Sequence, residues 1–263
     1  VRAHAAVVVP AFGMLVAAVV LTATTQASFT ATTASQSNSF SSGTWCSESS
    51  PSVAQVQKGS LSNNTTGTTS VAVNAVTMSR AFLFYTVRMN HSDADRAEIA
   101  GTLASSTSIQ FVRSSSASAP LVVEWTLVEY GCGVSVQRGQ FNKNDCNDDV
   151  TITPVSSLNR AFVTWNEKVD SSSNWDTDNN TVAQLTSTTN LNFWCEYTGS
   201  LGNGRLVYWQ VIEFTDPAAA KVQAGVVTGP AFASGASSRT VTLGTAVDLS
   251  HTFVLVTATN PID

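Results

Sequence analysis

The sequence predicts a mainly β protein, with an N-terminal hydrophobic α-helix followed by tandem antiparallel β-sandwich modules. Three observations predict it. Beyond about residue 45 the apolar residues alternate or fall in short blocks bounded by Gly, Asn, Ser and Thr, which is strand spacing without helical periodicity. One stretch of about 80 residues is written twice and begun a third time. Ahead of it stands a single, nearly uninterrupted apolar run over residues 5–21.

The first element is that run. With Arg2 before it and Thr22 to Thr25 after it, residues 1–27 read either as a secretory signal peptide cut after Ala27 or as a retained hydrophobic helix. In the second reading Ala5, Val8, Pro10, Phe12, Leu15, Val19 and Leu21 line an assembly helix, with a kink or a melted turn at Pro10. The apolar stretch at the start of the chain, ahead of a β-rich head, resembles type IV pilins. Ala5 stands where bacterial members carry Glu, so the resemblance is to the archaeal type. It implies a helix held first in the membrane and later in the core of a filament.

Residues 28–52 form a Ser- and Thr-rich linker or donated strand. The segment from Ala27 to Thr44, with Phe29, Phe40 and Gly43, is similar to exported fibre proteins of the TasA and camelysin type. That resemblance implies a filament built by handing an N-terminal strand to a neighbour.

Module 1 covers residues 53–133 and module 2 residues 134–219. Ala54-Gln-Val-Gln-Lys-Gly59 returns as Val134-Ser-Val-Gln-Arg-Gly139, and Ser79-Arg-Ala-Phe82 as Asn159-Arg-Ala-Phe162. Val123-Glu-Trp-Thr-Leu-Val-Glu-Tyr130 returns as Val207-Tyr-Trp-Gln-Val-Ile-Glu-Phe214. Strands are predicted near 53–60, 69–76, 80–90, 95–104, 108–114 and 120–130, then near 134–140, 149–155, 160–169, 180–187, 190–197 and 205–214. Six short strands per repeat read as a small sandwich or barrel. Phe82 with Phe162, Phe111 with Phe193, and Trp125 with Trp209 are expected to anchor the packing between sheets.

A partial third module spans residues 220–263. It opens on Ala220-Lys-Val-Gln-Ala-Gly225 and carries Thr252-Phe-Val-Leu-Val-Thr257, with strands predicted near 220–228, 239–243 and 251–258. Half a sandwich leaves an apolar face and open strand edges. Three explanations stand: complementation in cis by residues 28–50, complementation in trans by an adjacent subunit, or a truncated sequence.

Composition narrows the function. Charged residues are 12% against 43% hydrophobic, and the formal net charge is −5. Ser and Thr make up roughly a quarter of the chain, a hydroxyl-rich surface typical of exported β proteins. No basic patch is available to neutralise phosphates, so nucleic acid is not an expected partner.

Cys46, Cys132, Cys146 and Cys195 form an even set without CxxC spacing, which reads as two disulfides. Sequence alone allows three pairings, with free buried thiols as the alternative; a local Cys132–Cys146 bridge flanking the first strand of module 2 is plausible and would leave Cys46 to meet Cys195. Asn63, Asn64, Asn90 and Asn179 head glycosylation tripeptides on predicted loops.

No catalytic motif surrounds His4, His91 or His251, and no cofactor or metal is expected. Glu129 and Glu213 recur at matching strand ends, where a charge keeping the strand end soluble is the expectation. The acids Asp93 and Asp95, Asp176 and Asp178, and Asp145, Asp148 and Asp149 read as solvated loop residues rather than a calcium site. Trp165, Trp175 and Trp194, without counterparts in module 1, are candidates for stacking on a glycan.

The expected function is therefore that of a non-enzymatic structural subunit of an extracellular, cell-surface, pilus-like filament. Its partners would be copies of itself, and the membrane before assembly. A secreted or surface-attached carbohydrate-binding adhesin, recognising surface glycans, is the alternative.

Overall fold

The computed structural model of the chain describes residues 51–63, 66–89, 98–113, 120–143, 145–169, 181–195, 205–218, 220–226 and 240–257. All of them belong to one compact unit, Ser47–Asp263. The expected N-terminal helix and the linker up to residue 50 lie outside the described residues.

The first repeat folds into β1 (Ser52–Asn63), β2 (Gly67–Ala72), β3 (Ala81–Met89), β4 (Ile99–Ser105), β5 (Ser108–Arg113) and β6 (Leu121–Cys132). The second gives β7 (Val134–Lys143), β8 (Asn147–Thr151), β9 (Ala161–Val169), β10 (Val182–Ser187), β11 (Asn190–Trp194) and β12 (Arg205–Phe214). Among the described residues every pairing is antiparallel, in four three-stranded sheets ordered β1-β6-β3, β2-β5-β4, β7-β12-β9 and β10-β11-β8. In each repeat the last strand thus lies between the first and the third.

Alternation along β6 explains how the two sheets of the first repeat meet. Leu121, Val123, Trp125 and Leu127 are buried on one face while the residues between them are more exposed. That face packs on Ile109 and Phe111 of β5 and Leu103 of β4. In the second repeat Val207, Trp209 and Val211 pack on Leu191 and Phe193 in the same way. Burying such side chains contributes about 1.5–3 kcal/mol each, which makes these two interiors the main source of stability.

Glycine is required at one place in each first strand. A methyl group on Gly59 would lie 2.4 Å from Trp125 Cζ2, and one on Gly139 would lie 2.5 Å from Trp209 Cζ2. The V-Q-x-G motif is therefore a seat for the tryptophan ring of the strand opposite, as the registers Gly59↔Trp125 and Gly139↔Trp209 show.

Phe111, Phe193, Trp125 and Trp209 fill the sandwich interiors as expected. Phe82 and Phe162 do not. They stand one residue out of phase with the inward Leu83 and Val163 and belong to a separate cluster on the outer faces of the β1-β6-β3 and β7-β12-β9 sheets. A strand shows alternate residues to opposite faces, so a repeated aromatic marks a repeated contact without saying which face it serves.

The three strands expected in the third repeat form no ladder among the described residues. Residues 220–226 and 240–257 hold a 3₁₀ turn, Leu249–His251, and otherwise carry no regular element.

Candidate functional site

Three side-chain devices recur from repeat to repeat, and each is built from the motif residues. In the first, a glutamine side chain imitates a strand. Asn74 N–H donates to Gln57 Oε1 (2.7 Å) and Gln57 Nε2 donates to Asn74 O (3.0 Å). Gln137 makes the same pair of bonds with Thr153, at 3.0 and 2.9 Å. Gln223 makes them with Thr245, both at 2.8 Å.

The second device joins the sixth strand to the 3₁₀ turn before the third strand. Glu129 accepts from Thr77 N–H (2.7 Å) and Gln55 Nε2 (2.6 Å), and Glu213 accepts from Ser156 N–H (2.7 Å). Arg80 donates to Gly131 O, and Arg160 to Thr215 O at 2.9 Å. Burial pushes the Glu129 carboxyl up, but hydrogen bonds from Gln55 and Thr77 and the charge of Arg80 outweigh it and hold it below the usual carboxylate range. The paired glutamates are thus acceptors for turn backbone rather than charges that keep a strand end soluble.

The third device is the junction between modules. Phe82, Phe84, Val128 and Tyr130 on the outer face of the first module pack with Val134, Val136, Phe162, Ile212 and Phe214 of the second. Ring contacts run from Phe82 to Tyr130 (6.0 Å), to Phe214 (6.5 Å), to Phe162 (6.4 Å) and on to Phe253 of the third repeat (6.0 Å). Such pairs each contribute about 0.5–1.5 kcal/mol beyond their buried area.

Polar groups fix the junction's register. β3 is an edge strand, and its outward amide and carbonyl at Leu83 are met by Gln210 of β12: Leu83 N–H donates to Oε1 (3.0 Å) and Nε2 donates to Leu83 O (2.9 Å). At β4, Gly101 N–H donates to Asn166 Oδ1 (2.7 Å). Module 1 therefore presents two open strand edges, and module 2 supplies amide side chains that close them. Arg138 of β7 donates to Met78 O (2.7 Å) and Ala81 O (2.5 Å) in the turn of module 1, and burial pushes its guanidinium down to about 10. Val222 N–H donates to Asn159 O (2.7 Å) in the turn of module 2. In both steps the opening segment of one repeat docks on the 3₁₀ turn of the repeat before it.

The densest charge cluster lies at one end of module 2. Lys143, fully buried, donates to the carbonyls of Asp145 and Phe193 and stands 3.6 Å from Asp148 Oδ2. Burial, the largest influence, lowers its affinity for a proton, against the opposing charges of Asp148 and Glu167. Arg205 reaches Glu167 (3.3 Å) and Glu98 (3.8 Å), and Glu167 accepts from Thr181 Oγ1 (2.8 Å). These groups are spent on one another and on backbone carbonyls that end the strands.

The predicted site residues are distributed differently from expectation in several places. Cys146 bridges Cys195, so neither the local Cys132–Cys146 bond nor Cys46–Cys195 forms. The reason is the ladder: Asn147 pairs with Trp194, and Cys195 N–H donates to Cys146 O (3.0 Å), so the disulfide adds a rung beyond the β8–β11 pair. Cys132 Sγ lies 3.7 Å from Ser52 Oγ, and Cys46 is outside the described residues. Asn63 is buried, with Nδ2 donating to Thr69 Oγ1 (3.1 Å), which does not suit a glycan acceptor. Asn64, Asn90 and Asn179 fall outside the described residues.

Trp165 is no exposed platform. It packs against the core of module 2 and donates to Thr181 O (3.3 Å). Trp194 is half-buried on β11, and Trp175 lies outside the described residues. Asp145 accepts from Cys146 N–H (2.7 Å), and Asp149 from Asn190 (2.8 Å) and Asn192 (3.1 Å). Among the described residues no group of three His, Cys, Asp or Glu side chains is placed to hold a metal ion. His251 stands where Arg80 and Arg160 stand in the earlier repeats and is held by Asp248 (2.9 Å); His4, His91, Asp93, Asp95, Asp176 and Asp178 are outside the described residues. Among the described residues no helix is long and apolar enough to cross a membrane, and the assembly-helix residues Ala5 to Leu21 are outside them.

The recurrence of Gln, Gly, Trp, Glu and Arg was visible in the sequence, but their partners were not. Gln210 and Asn166 were missed altogether. In module 1 Thr126 and Thr86 occupy the matching places, so no repetition marked them. No family model, curated protein or solved structure matches this chain.

Proposed function

We propose that the chain is a structural subunit of an extracellular, pilus-like filament at the cell surface. Residues 1–27 form the hydrophobic helix that is held in the membrane before assembly and packs with its copies afterwards, leaving the β modules on the outside. The observation that supports this reading is the direction of the junctions. A two-fold contact would pair like with like and close, whereas here each repeat docks its opening segment on the turn of the one before, a head-to-tail relation that leads to extended arrays. The repeated side chains support it as well, because each is committed to holding strands, turns or modules together. Buried area at such junctions stiffens a head that has to bear load along one line.

The test is the N-terminus of assembled subunits. Mass spectrometry of filaments sheared from cells expressing the chain is expected to find residues 1–27 retained. Subunits beginning at Ser28 would overturn assembly through the helix.

A further inference from the structure

The first two strands of each complete module are joined by a matched pair of side chains, and the chemistry of the pair changes from one module to the next. In module 1 the pair is neutral: Asn63, at the end of β1, donates through Nδ2 to Thr69 Oγ1 of β2 (3.1 Å). In module 2 the same two places hold an amine and an acid. Lys143 ends β7 opposite Arg205 as Asn63 ends β1 opposite Leu121, and Asp148 stands opposite Phe193 as Thr69 stands opposite Phe111. Lys143 Nζ lies 3.6 Å from Asp148 Oδ2.

As ions the pair is costly. Lys143 is 0% exposed, and Asp148 Oδ2 is turned away from solvent although the aspartate side chain as a whole is 30% exposed. At 3.6 Å the contact is too long for a hydrogen bond, and Oδ2 accepts none from the described residues. Taking an ammonium and a carboxylate out of water carries a large penalty, repaid only where geometry and hydrogen bonding are excellent. Burial also lowers the proton affinity of Lys143, which favours the neutral, nucleophilic amine. The other acids nearby are engaged elsewhere: Asp145 accepts from Cys146 N–H, Asp149 from Asn190 and Asn192, and Glu167 pairs with Arg205.

We propose that Lys143 and Asp148 become joined by an intramolecular amide bond, through condensation of the side-chain amine with the side-chain carboxyl. The ion pair itself supplies every atom. One proton passes from Nζ to Oδ2, the neutral Nζ attacks Cγ, and a second proton follows from Nζ to the same oxygen. The Nζ–Cγ bond forms, the Cγ–Oδ2 bond breaks, and Oδ2 leaves as water, while Nζ keeps one N–H to donate to the carbonyls around it. No oxidant, reductant or outside group is required. The fold supplies proximity, which for well-placed groups is equivalent to about 10⁵–10⁸ M, and it excludes the water that would drive the reverse hydrolysis. Both buried charges vanish, and so does the oxygen that lacks a donor. The amide ties β7 to β8 beside the Cys146–Cys195 bridge, which links the ends of β8 and β11. It concerns module 2 alone and does not depend on filament formation.

The test is peptide mapping of the full chain, shown to be folded by circular dichroism and then reduced, alkylated and digested with trypsin. Trypsin does not cleave after an acylated lysine, so residues 139–160 are expected as one peptide bounded by Arg138 and Arg160. That peptide is expected to be lighter than its sequence by one water, with fragment ions placing the link between Lys143 and Asp148. Asp148→Thr puts the module 1 residue in that place, and its digest is expected to give 139–143 and 144–160 at full mass. Those two peptides at full mass from the folded parent overturn the proposal, and the parent's map decides this whether or not the variant folds. A peptide 144–160 that has lost water while 139–143 is released intact marks an aspartate succinimide and overturns it too. A link that persists in Asp148→Thr overturns Asp148 as the partner.

Discussion

Replacing Gly139 by alanine tests the seat on which the second module is built. The added methyl would lie 2.5 Å from Trp209 Cζ2, 2.8 Å from Cε2 and 3.1 Å from Nε1. Ordinary carbon contacts are about 3.5–4.0 Å, so the ring must retreat by roughly 1 Å. Trp209 is 8% exposed and belongs to the cluster with Val207, Val211, Leu191 and Phe193, so the displacement is passed into a packed interior. Ejecting the ring instead would expose about 150–250 Å² of surface and cost about 4–6 kcal/mol, so strained accommodation is the cheaper response, at about 2–3 kcal/mol. Gly225→Ala is the matched control, since no atom of the described residues lies within 4 Å of its added methyl. Urea unfolding followed by circular dichroism is expected to show the loss for Gly139→Ala with an unchanged slope, and a change under about 0.5 kcal/mol for Gly225→Ala. Equal curves for the two variants would refute the seat.

Three further outcomes follow from the same geometry. Gln210→Ala removes both partners of the Leu83 backbone, and the exposed edge is expected to cost about 2–4 kcal/mol and to lose hydrogen-exchange protection at the Leu83 amide. Cys146→Ala with Cys195→Ala opens a bridge spanning 49 residues, for which loop closure gives about 4 kcal/mol, and urea unfolding is expected to move to lower denaturant by that scale. Glu129 has its folded pKa depressed, so its contribution is full above the unfolded carboxylate value of about 4.3 and is lost as pH falls through the lower folded value. The stability gap between the parent and Glu129→Gln, followed by urea titration at stepped pH, is expected to narrow below about pH 4, and a gap that widens on acidification would contradict the assignment.

Much of the fold was legible because the two copies check each other. Strands predicted near 160–169 and 205–214 match Ala161–Val169 and Arg205–Phe214, where apolar blocks and β-branched residues run the length of the element. The strand predicted at 69–76 ends early, at Ala72, because Asn74 and Ala75 give their backbone groups to Gln57 and Gln55 rather than to a neighbouring strand. Faces were harder to read than strands. Phe82 and Phe111 look alike in the sequence, yet one seals a junction and the other a sandwich, and only the register of β3 on β6 separates them. The cysteine pairing stayed open in the sequence for a related reason: Cys132 and Cys146 are close along the chain, while Cys146 and Cys195 are close because β8 and β11 are neighbours.

The head-to-tail junction is the part of the candidate site that sequence could not supply. It depends on Gln210, Asn166 and Arg138, which answer groups in the preceding module and have no like residue in module 1, where Thr126, Thr86 and Lys58 stand. Repetition reveals what each module does for itself, and the residues joining one module to the next vary with position.

The claim that this chain is a polymer-forming structural subunit is met most directly by electron microscopy of the protein with residues 1–27 intact, displayed on cells and then sheared from them. The account predicts filaments of uniform width with the β modules on the outer surface. A preparation consisting of dispersed single particles, from cells that carry the folded protein, would contradict it.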